Sequence, residues 1–331
     1  MTVACAQGKI ILCGEHAVVY GRPAIAVPVA EVRARATVED GVEGQGIVIV
    51  ARDLGRVVTL GDEASDETRD PLLAAAVNTL EYLGLGLGHD LVIVLESSIP
   101  MARGLGSGAA VSAAITRALA QHFSKDLTAE QISGLVYDVE KLYHGTPSGV
   151  DNTVVAHQRA VYFVRGQRLE ILRVGAPLLL LIADTGVESP TKTVVGAVRS
   201  AWQESKDRYE VLFDEVGDTV VRIRDAMEKG DAAEVGRLMD ENHRLLRAME
   251  VSSSQLDALV NAAKRHGALG AKLSGAGRGG NMIALATPET CQEVRKALQD
   301  AGTQRVLQTE VEATTDVTRP LAPFMASPSQ R

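Results

Sequence analysis

Aromatic side chains are scarce in this chain. Its 331 residues include four Phe, six Tyr and one Trp, 3% in all. Apolar residues still make up 46%, so a core must be built from Leu, Val, Ile and Ala. That composition suits layered α/β packing better than an aromatic-rich β-sandwich. Cysteine is equally scarce. Cys5, Cys13 and Cys291 fit neither a disulfide framework nor zinc-ligand spacing, and read as free thiols. Positive charge is outweighed, with 34 Lys and Arg against 42 Asp and Glu, a net charge of −8. With no long basic run to offset it, nucleic acid is excluded as a partner. Long apolar runs are missing too. The run at 10–13 is far too short for a signal segment and ends at Gly14, Glu15 and His16; that at 178–183 is strand-length. No membrane span is expected, and the cytoplasm is the expected location. A Walker A loop is absent, because the only Gly-Lys pair is Gly8-Lys9 and position 3 is Val3. The protein-kinase signatures are absent as well.

What is present is a long α/β pattern without internal repeats. Val- and Ile-rich stretches at 9–13, 46–51 and 56–60 predict strands. The acidic segment at 62–70 reads as an exposed loop. A helix is expected at 71–82 and a strand at 90–96. After the Ser-Ser-Ile-Pro at 97–100 comes a glycine-rich turn, and then an Ala-rich helix at 109–123. In that helix Val111, Ile115, Ala118 and Leu119 fall at helical spacing. A second helix is expected at 128–143, opened by Thr128 and Gln131 as a capping box. Leu135, Val136, Val139 and Leu142 form its apolar stripe, and Gly145, Pro147 and Gly149 end it. The second half predicts a strand at 178–183, long helices from 191 to about 264, and short strands at 271–273 and 282–286. A helix at 288–301 and a strand at 304–311 close it. The tail from 326 is small and polar, and reads as disordered. A boundary between two lobes is expected near 175–177, giving units 1–176 and 177–325.

Three segments carry candidate chemistry. Gly104-Leu105-Gly106-Ser107-Gly108-Ala109-Ala110 lies between a predicted strand and helix. Glycines there let the backbone approach a ligand, and a helix start favours anions. Alone, the loop could equally be a tight turn or a dinucleotide fingerprint. The latter fits poorly, since the acidic residue expected about twenty positions on should lie on a strand, and 125–129 is a polar turn. The second segment is Gln7-Gly8-Lys9 followed by Gly14-Glu15-His16, which places Lys, Glu and His around a strand and a glycine turn. Each would be ordinary at a strand terminus. The third runs from Lys272 through Ser274-Gly275-Ala276-Gly277-Arg278-Gly279-Gly280-Asn281. It could be a wide turn, or a loop that packs against a polyphosphate.

Together and in this order, the three segments resemble the motifs of the GHMP kinase superfamily. The Gly-Glu-His-Ala-Val-Val-Tyr-Gly run at 14–21 and the Glu-Lys-Leu-Tyr-His-Gly-Thr-Pro-Ser-Gly-Val-Asp-Asn run at 140–152 place the match nearest its mevalonate-phosphorylating branch. The resemblance spans residues 7 to about 286. It implies a two-lobed α/β (α+β) fold, with a ribosomal-S5-like N-terminal lobe and a ferredoxin-like C-terminal lobe. It implies ATP and mevalonate as substrates and Mg²⁺ as cofactor. It assigns Asp151 and Lys9 to catalysis. Gly104, Leu105, Gly106, Ser107, Gly108, Ala109, Gly275 and Gly277 would surround ATP. Glu140 and Ser107 would hold the metal, and Glu15, His16 and Thr191 would contact the acceptor, with His16 and Thr191 as possible donors. Residue types agree with these roles. A carboxylate can orient or deprotonate an attacking hydroxyl, an ammonium can offset phosphoryl charge, and a hard cation prefers oxygen ligands.

The chain also departs from the pattern. Gly108 stands where a second serine, expected at the metal, is usual; Gln7 stands where proline is common; Arg278 and Asn281 interrupt a run usually of glycines ending in a small residue. Without the resemblance, Asp151 reads as a turn aspartate and Glu140 as a solvated helical glutamate. Rival readings are a relative acting on phosphomevalonate, homoserine or the 3-hydroxyl of mevalonate, a non-catalytic binding relative, and a nucleotide-linked dehydrogenase. The oligomeric state is left open, a homodimer included.

Overall fold

The computed structural model describes residues 1–60, 70–100, 103–144, 147–167, 170–189 and 191–314. The expected loop at 62–69, Gly145 and the expected tail at 326–331 lie outside them.

Two sheets organise the chain. The first uses β1 (Thr2–Cys13), β2 (Ala24–Asp40), β3 (Ile47–Ala51), β4 (Arg56–Leu60), β5 (Leu91–Ser97), β6 (Val161–Phe163) and β7 (Glu170–Ile171). β2 is its spine. It pairs along its length with β1, and on its other edge with β5 at 34–40 and β6 at 24–26. β3 lies parallel to β5 and antiparallel to β4. The helices packed with this sheet are α1 (Pro71–Tyr82), α2 (Ser107–His122), α3 (Ala129–His144) and α4 (Val150–His157). α2 buries Ala109, Ala110, Ala113, Ala114 and Ala118 beside Ile115 and Leu119. Small side chains bring this helix close to β1 and β2, which compensates for the missing aromatic bulk.

The second sheet has the order β11-β8-β10-β9, with every neighbouring pair antiparallel. Its strands are β8 (Leu178–Asp184), β9 (Gly270–Ser274), β10 (Asn281–Ala286) and β11 (Arg305–Val311). Counted within this unit, the order is 4-1-3-2, the ferredoxin-like arrangement. The first crossover is enlarged to four helices, α5 (Thr191–Glu204), α6 (Lys206–Lys229), α7 (Ala232–Ala248) and α8 (Ser254–Arg265). The second is α9 (Cys291–Asp300). One apolar cluster runs through both sheets, and the Ser274 hydroxyl donates to the Ile11 carbonyl at 2.7 Å, joining β9 to β1.

Most predicted elements are present within a few residues. The capping box is reciprocal: Thr128 N–H donates to Gln131 Oε1 at 2.8 Å, and Gln131 N–H to Thr128 Oγ1 at 3.3 Å. Three expectations need correction. β2 was not anticipated, because Pro28 and the charges at Glu31, Arg33 and Arg35 obscure the alternation of Val32, Ala34, Ala36 and Val38, all buried. Leu142 does not belong to the buried stripe of α3; it is exposed, while Ile132 takes its place in the core. Asp151 is no turn residue but stands in the first turn of α4.

Candidate active site

β1 delivers the first functional group. Lys9 sits in its middle, and its backbone N–H donates to the Leu105 carbonyl at 3.0 Å, fastening the strand to the glycine loop. Its side chain is buried, and Nζ lies 2.8 Å from Asp151 Oδ1. Asp151 is placed by α4, whose next residue, Asn152, is buried and donates to Ser133 Oγ at 2.9 Å and to its carbonyl at 3.1 Å. The Lys9 stem runs beside Gly106. That glycine has φ 72° and caps α2; a β-carbon there would lie 2.8 Å from Lys9 Cγ. Backbone conformation and close approach therefore both require glycine. The loop, the amine and the carboxylate thus form one assembly at the start of α2, where backbone N–H groups and the helix dipole favour anions.

Glu140 approaches the same place from α3. It is 5% exposed, so it is no solvated surface glutamate. Burial, and then the neighbouring Asp151 charge, push its carboxyl up to about 7, against the lowering influence of Lys9. A β-carbon at Gly108 would stand 3.1 Å from Glu140 Oε1. The Glu140 carboxylate thus lies directly beside position 108, where the family pattern usually has a serine. These residues fit a Mg²⁺ ion. A divalent cation would relieve the mutual repulsion of Glu140 and Asp151. Among the described residues no cluster of three or more His, Cys, Asp or Glu forms an all-protein cage, and Mg²⁺ is commonly held by one or two carboxylates together with substrate phosphates.

The turn after β1 carries Glu15 and His16. Glu15 is fully buried and paired with Lys272 of β9, itself fully buried; Lys272 Nζ also donates to the Leu273 carbonyl at 2.6 Å. Glu15 Oε2 is buried without a hydrogen-bond partner. His16 adopts φ 61°, and its Nε2 lies 2.9 Å from the Ala276 carbonyl. Burial lowers its pKa to about 4. The ring is then neutral near pH 7. Because a carbonyl can only accept, Nε2 carries the proton and Nδ1 is left as an acceptor.

The second glycine loop is strapped to the exit of β8. Ser189 Oγ donates to the Gly277 carbonyl at 2.6 Å and Thr185 Oγ1 to that of Gly280 at 2.8 Å. Gly277 has φ 88°, and a β-carbon there would fall 2.0 Å from the Val251 carbonyl. Gly275 faces open space. Ser107 begins α2 and is half-buried. Thr191 is exposed at the first position of α5, and no hydrogen bond among the described residues ties it to Glu15 or His16. Sequence reasoning missed Lys272 as the partner of Glu15. Its signal was a lysine inside a short apolar strand, which needs an opposite charge when buried.

Known proteins assign the chain to a family. The GHMP kinases N terminal domain matches residues 71–159, and the GHMP kinases C terminal domain matches 223–304. The chain belongs to the GHMP kinase family. Within that family its relatives include mevalonate kinases: that of Thermococcus sibiricus is 35% identical over 315 residues, covering 91% of this chain and 93% of its own. A solved mevalonate kinase of L. major in complex with R-mevalonate superposes with TM-score 0.81 at 29% identity, covering 96% of this chain and 97% of its own. That of Methanococcus jannaschii gives 0.79 at 27%, covering 92% and 96%.

Proposed function

We propose that this chain transfers the γ-phosphoryl group of ATP to the primary hydroxyl of (R)-mevalonate, giving 5-phosphomevalonate and ADP. The observation that carries the reading is the Lys9–Asp151 pair, 2.8 Å apart, with the lysine stem lying on Gly106 of the phosphate loop. Asp151 accepts or aligns the proton of the attacking hydroxyl. Lys9 fixes that carboxylate and offers an ammonium to the phosphoryl group in transit. Catalysis then rests on positioning and charge stabilisation. Gly104, Leu105, Gly106, Ser107, Gly108 and Ala109 wrap the triphosphate, with Gly275 and Gly277 on its other side. Glu140 and Ser107 would hold Mg²⁺, which would neutralise phosphate charge when bound.

Glu15 and His16 bind the acceptor. Glu15 Oε2 awaits a donor, and His16 Nδ1 accepts one, so both suit the hydroxyls of mevalonate. Thr191 would add its hydroxyl as a further contact to the acceptor. A phosphorylated acceptor is favoured less. Lys272 is already neutralised by Glu15, and the Arg278 guanidinium donates to the Glu250 carbonyl at 3.3 Å. The boundary between the two lobes is proposed at 176/177, with this site between them.

The test is to incubate the protein with Mg·ATP and mevalonate, phosphomevalonate or homoserine, and locate the new phosphate by ³¹P NMR. A phosphate on C5 of mevalonate is the expected result. Turnover confined to another acceptor, or transfer to the 3-hydroxyl, would overturn the assignment.

A further inference from the structure

Two residues that the site as described leaves without a task join its two glycine loops. Asn281 opens β10 where a small residue is usual in the family pattern, and it is buried. Its side-chain amide donates to the Arg103 carbonyl, immediately before Gly104. The Arg103 side chain turns the same way. Its Nη1 donates to Asp184 Oδ1 at 3.1 Å, and Nη2 lies 3.4 Å from the Gly186 carbonyl. Asp184 ends β8, pairs with Asn281 in the sheet register, and also accepts from Gly186 N–H at 2.8 Å. A closed ring of contacts thus runs from the phosphate loop through Arg103 to β8, across to β10, and back through Asn281.

The ring has a direction. Thr185 and Ser189 pin the second glycine loop to the same β8 exit. That side is anchored twice, whereas the first loop carries left-handed glycines at 104 and 106. On the side of the second sheet, it is held through Arg103 alone among the described residues. Lys9 holds it on the other, through the Leu105 carbonyl.

We propose that Arg103 and Asn281 are positioning residues for the nucleotide. They form a latch that sets the height of the phosphate loop above α2 relative to the second glycine loop. The Arg103 charge is directed to Asp184 and not to phosphate. Asn281 transmits the fixed position of β10 to the backbone that must cradle the triphosphate. The inference rests on the kinase reading above. Its test uses nucleotide alone, so the two stand or fall separately.

Calorimetric titration of the wild-type protein, Asn281→Ala, Arg103→Gln and the double variant with Mg·ADP isolates the latch, because no acceptor is present. Each single variant should bind Mg·ADP about tenfold more weakly, and the double variant little more weakly than either, since both break one coupled unit. In turnover assays the KM for ATP should rise while the KM for mevalonate stays near wild type. Asp184→Asn should also weaken Mg·ADP, because the guanidinium loses its anchor. Tighter Mg·ADP binding by Asp184→Asn would mean that a released Arg103 binds phosphate directly, and would overturn the latch. Unchanged affinity in Asn281→Ala would overturn it too, as would a lowered melting temperature with full affinity in the folded protein. Wild-type protein that bound no nucleotide at all would instead overturn the kinase reading.

Discussion

Two lysine–carboxylate pairs each take one member from the segment 9–15, and they do different work. Lys9 and Asp151 join β1 to α4, with the carboxylate side chain 32% exposed. Lys272 and Glu15 join β9 to the turn after β1, with both side chains sealed from water. The same two charges thus appear once at an open site and once inside the molecule. An open carboxylate can exchange partners with a substrate hydroxyl. A sealed pair is fixed in place, because separating it strands a charge in a medium that cannot solvate it. The first pair is built to react; the second uses Glu15 Oε1 to fix the turn after β1 to β9 and leaves Oε2 without a partner for the acceptor.

The sharpest way to break the comparison is to neutralise the open pair. Asp151→Asn should lower kcat by about 10²–10⁴-fold, leave Mg·ADP affinity within about threefold, and cost less stability than breaking the sealed pair, because Asp151 is partly open to water. Full turnover in this variant, measured by coupled assay, would refute the role of Asp151. The sealed pair should behave the other way. Lys272→Met should cost about 3–5 kcal/mol of stability in urea unfolding, since Glu15 is left buried and unpaired. Replacing both partners together, Glu15→Leu with Lys272→Met, should recover most of that loss. A single variant as stable as wild type would mean that the pair is not sealed in solution.

Smaller in effect is the pH response of Glu140, which sits beside the open pair. Its folded pKa of about 7 lies above its ordinary value of 4.5. The folded protein therefore keeps a proton that the unfolded chain has lost. Without metal, its contribution to stability is full below about pH 4.5, declines as pH rises, and reaches its lowest level above about 7. Mg²⁺ binding has the opposite slope. Its affinity should rise with pH through about 7, because only the ionised carboxylate is a ligand. Glu140→Gln should flatten both curves, read by thermal melting and by Mg²⁺ titration in the presence of ADP. The smallest expected effect is at Leu142. Because it is exposed, Leu142→Ser should alter stability by about 0.5 kcal/mol or less.

Local signals were legible wherever residues near in sequence decide the outcome. The Ala-rich spacing of α2, the Thr128–Gln131 box and the apolar run of β8 all act within a few residues, and each forms where periodicity placed it. Glu140 and Asp151 were legible only through their resemblance to a known motif, since nothing local says that a helical glutamate is buried or that Gly149 is followed by a helix. β2 was obscured because its buried face is made partly of alanine, which carries little hydrophobic signal, and because Pro28 sits inside it.

By itself, the sequence determined the helices and most strands, the glycine loops and the set of residue types that phosphoryl transfer needs. Those follow from backbone preferences and from side-chain chemistry, which each residue carries wherever it lies. Only the tertiary structure decided which charges meet. Lys9 found Asp151 while Lys272 found Glu15. Such choices depend on burial and on distances between segments more than a hundred residues apart, and a carboxylate acquires its character from the groups that the fold brings to it.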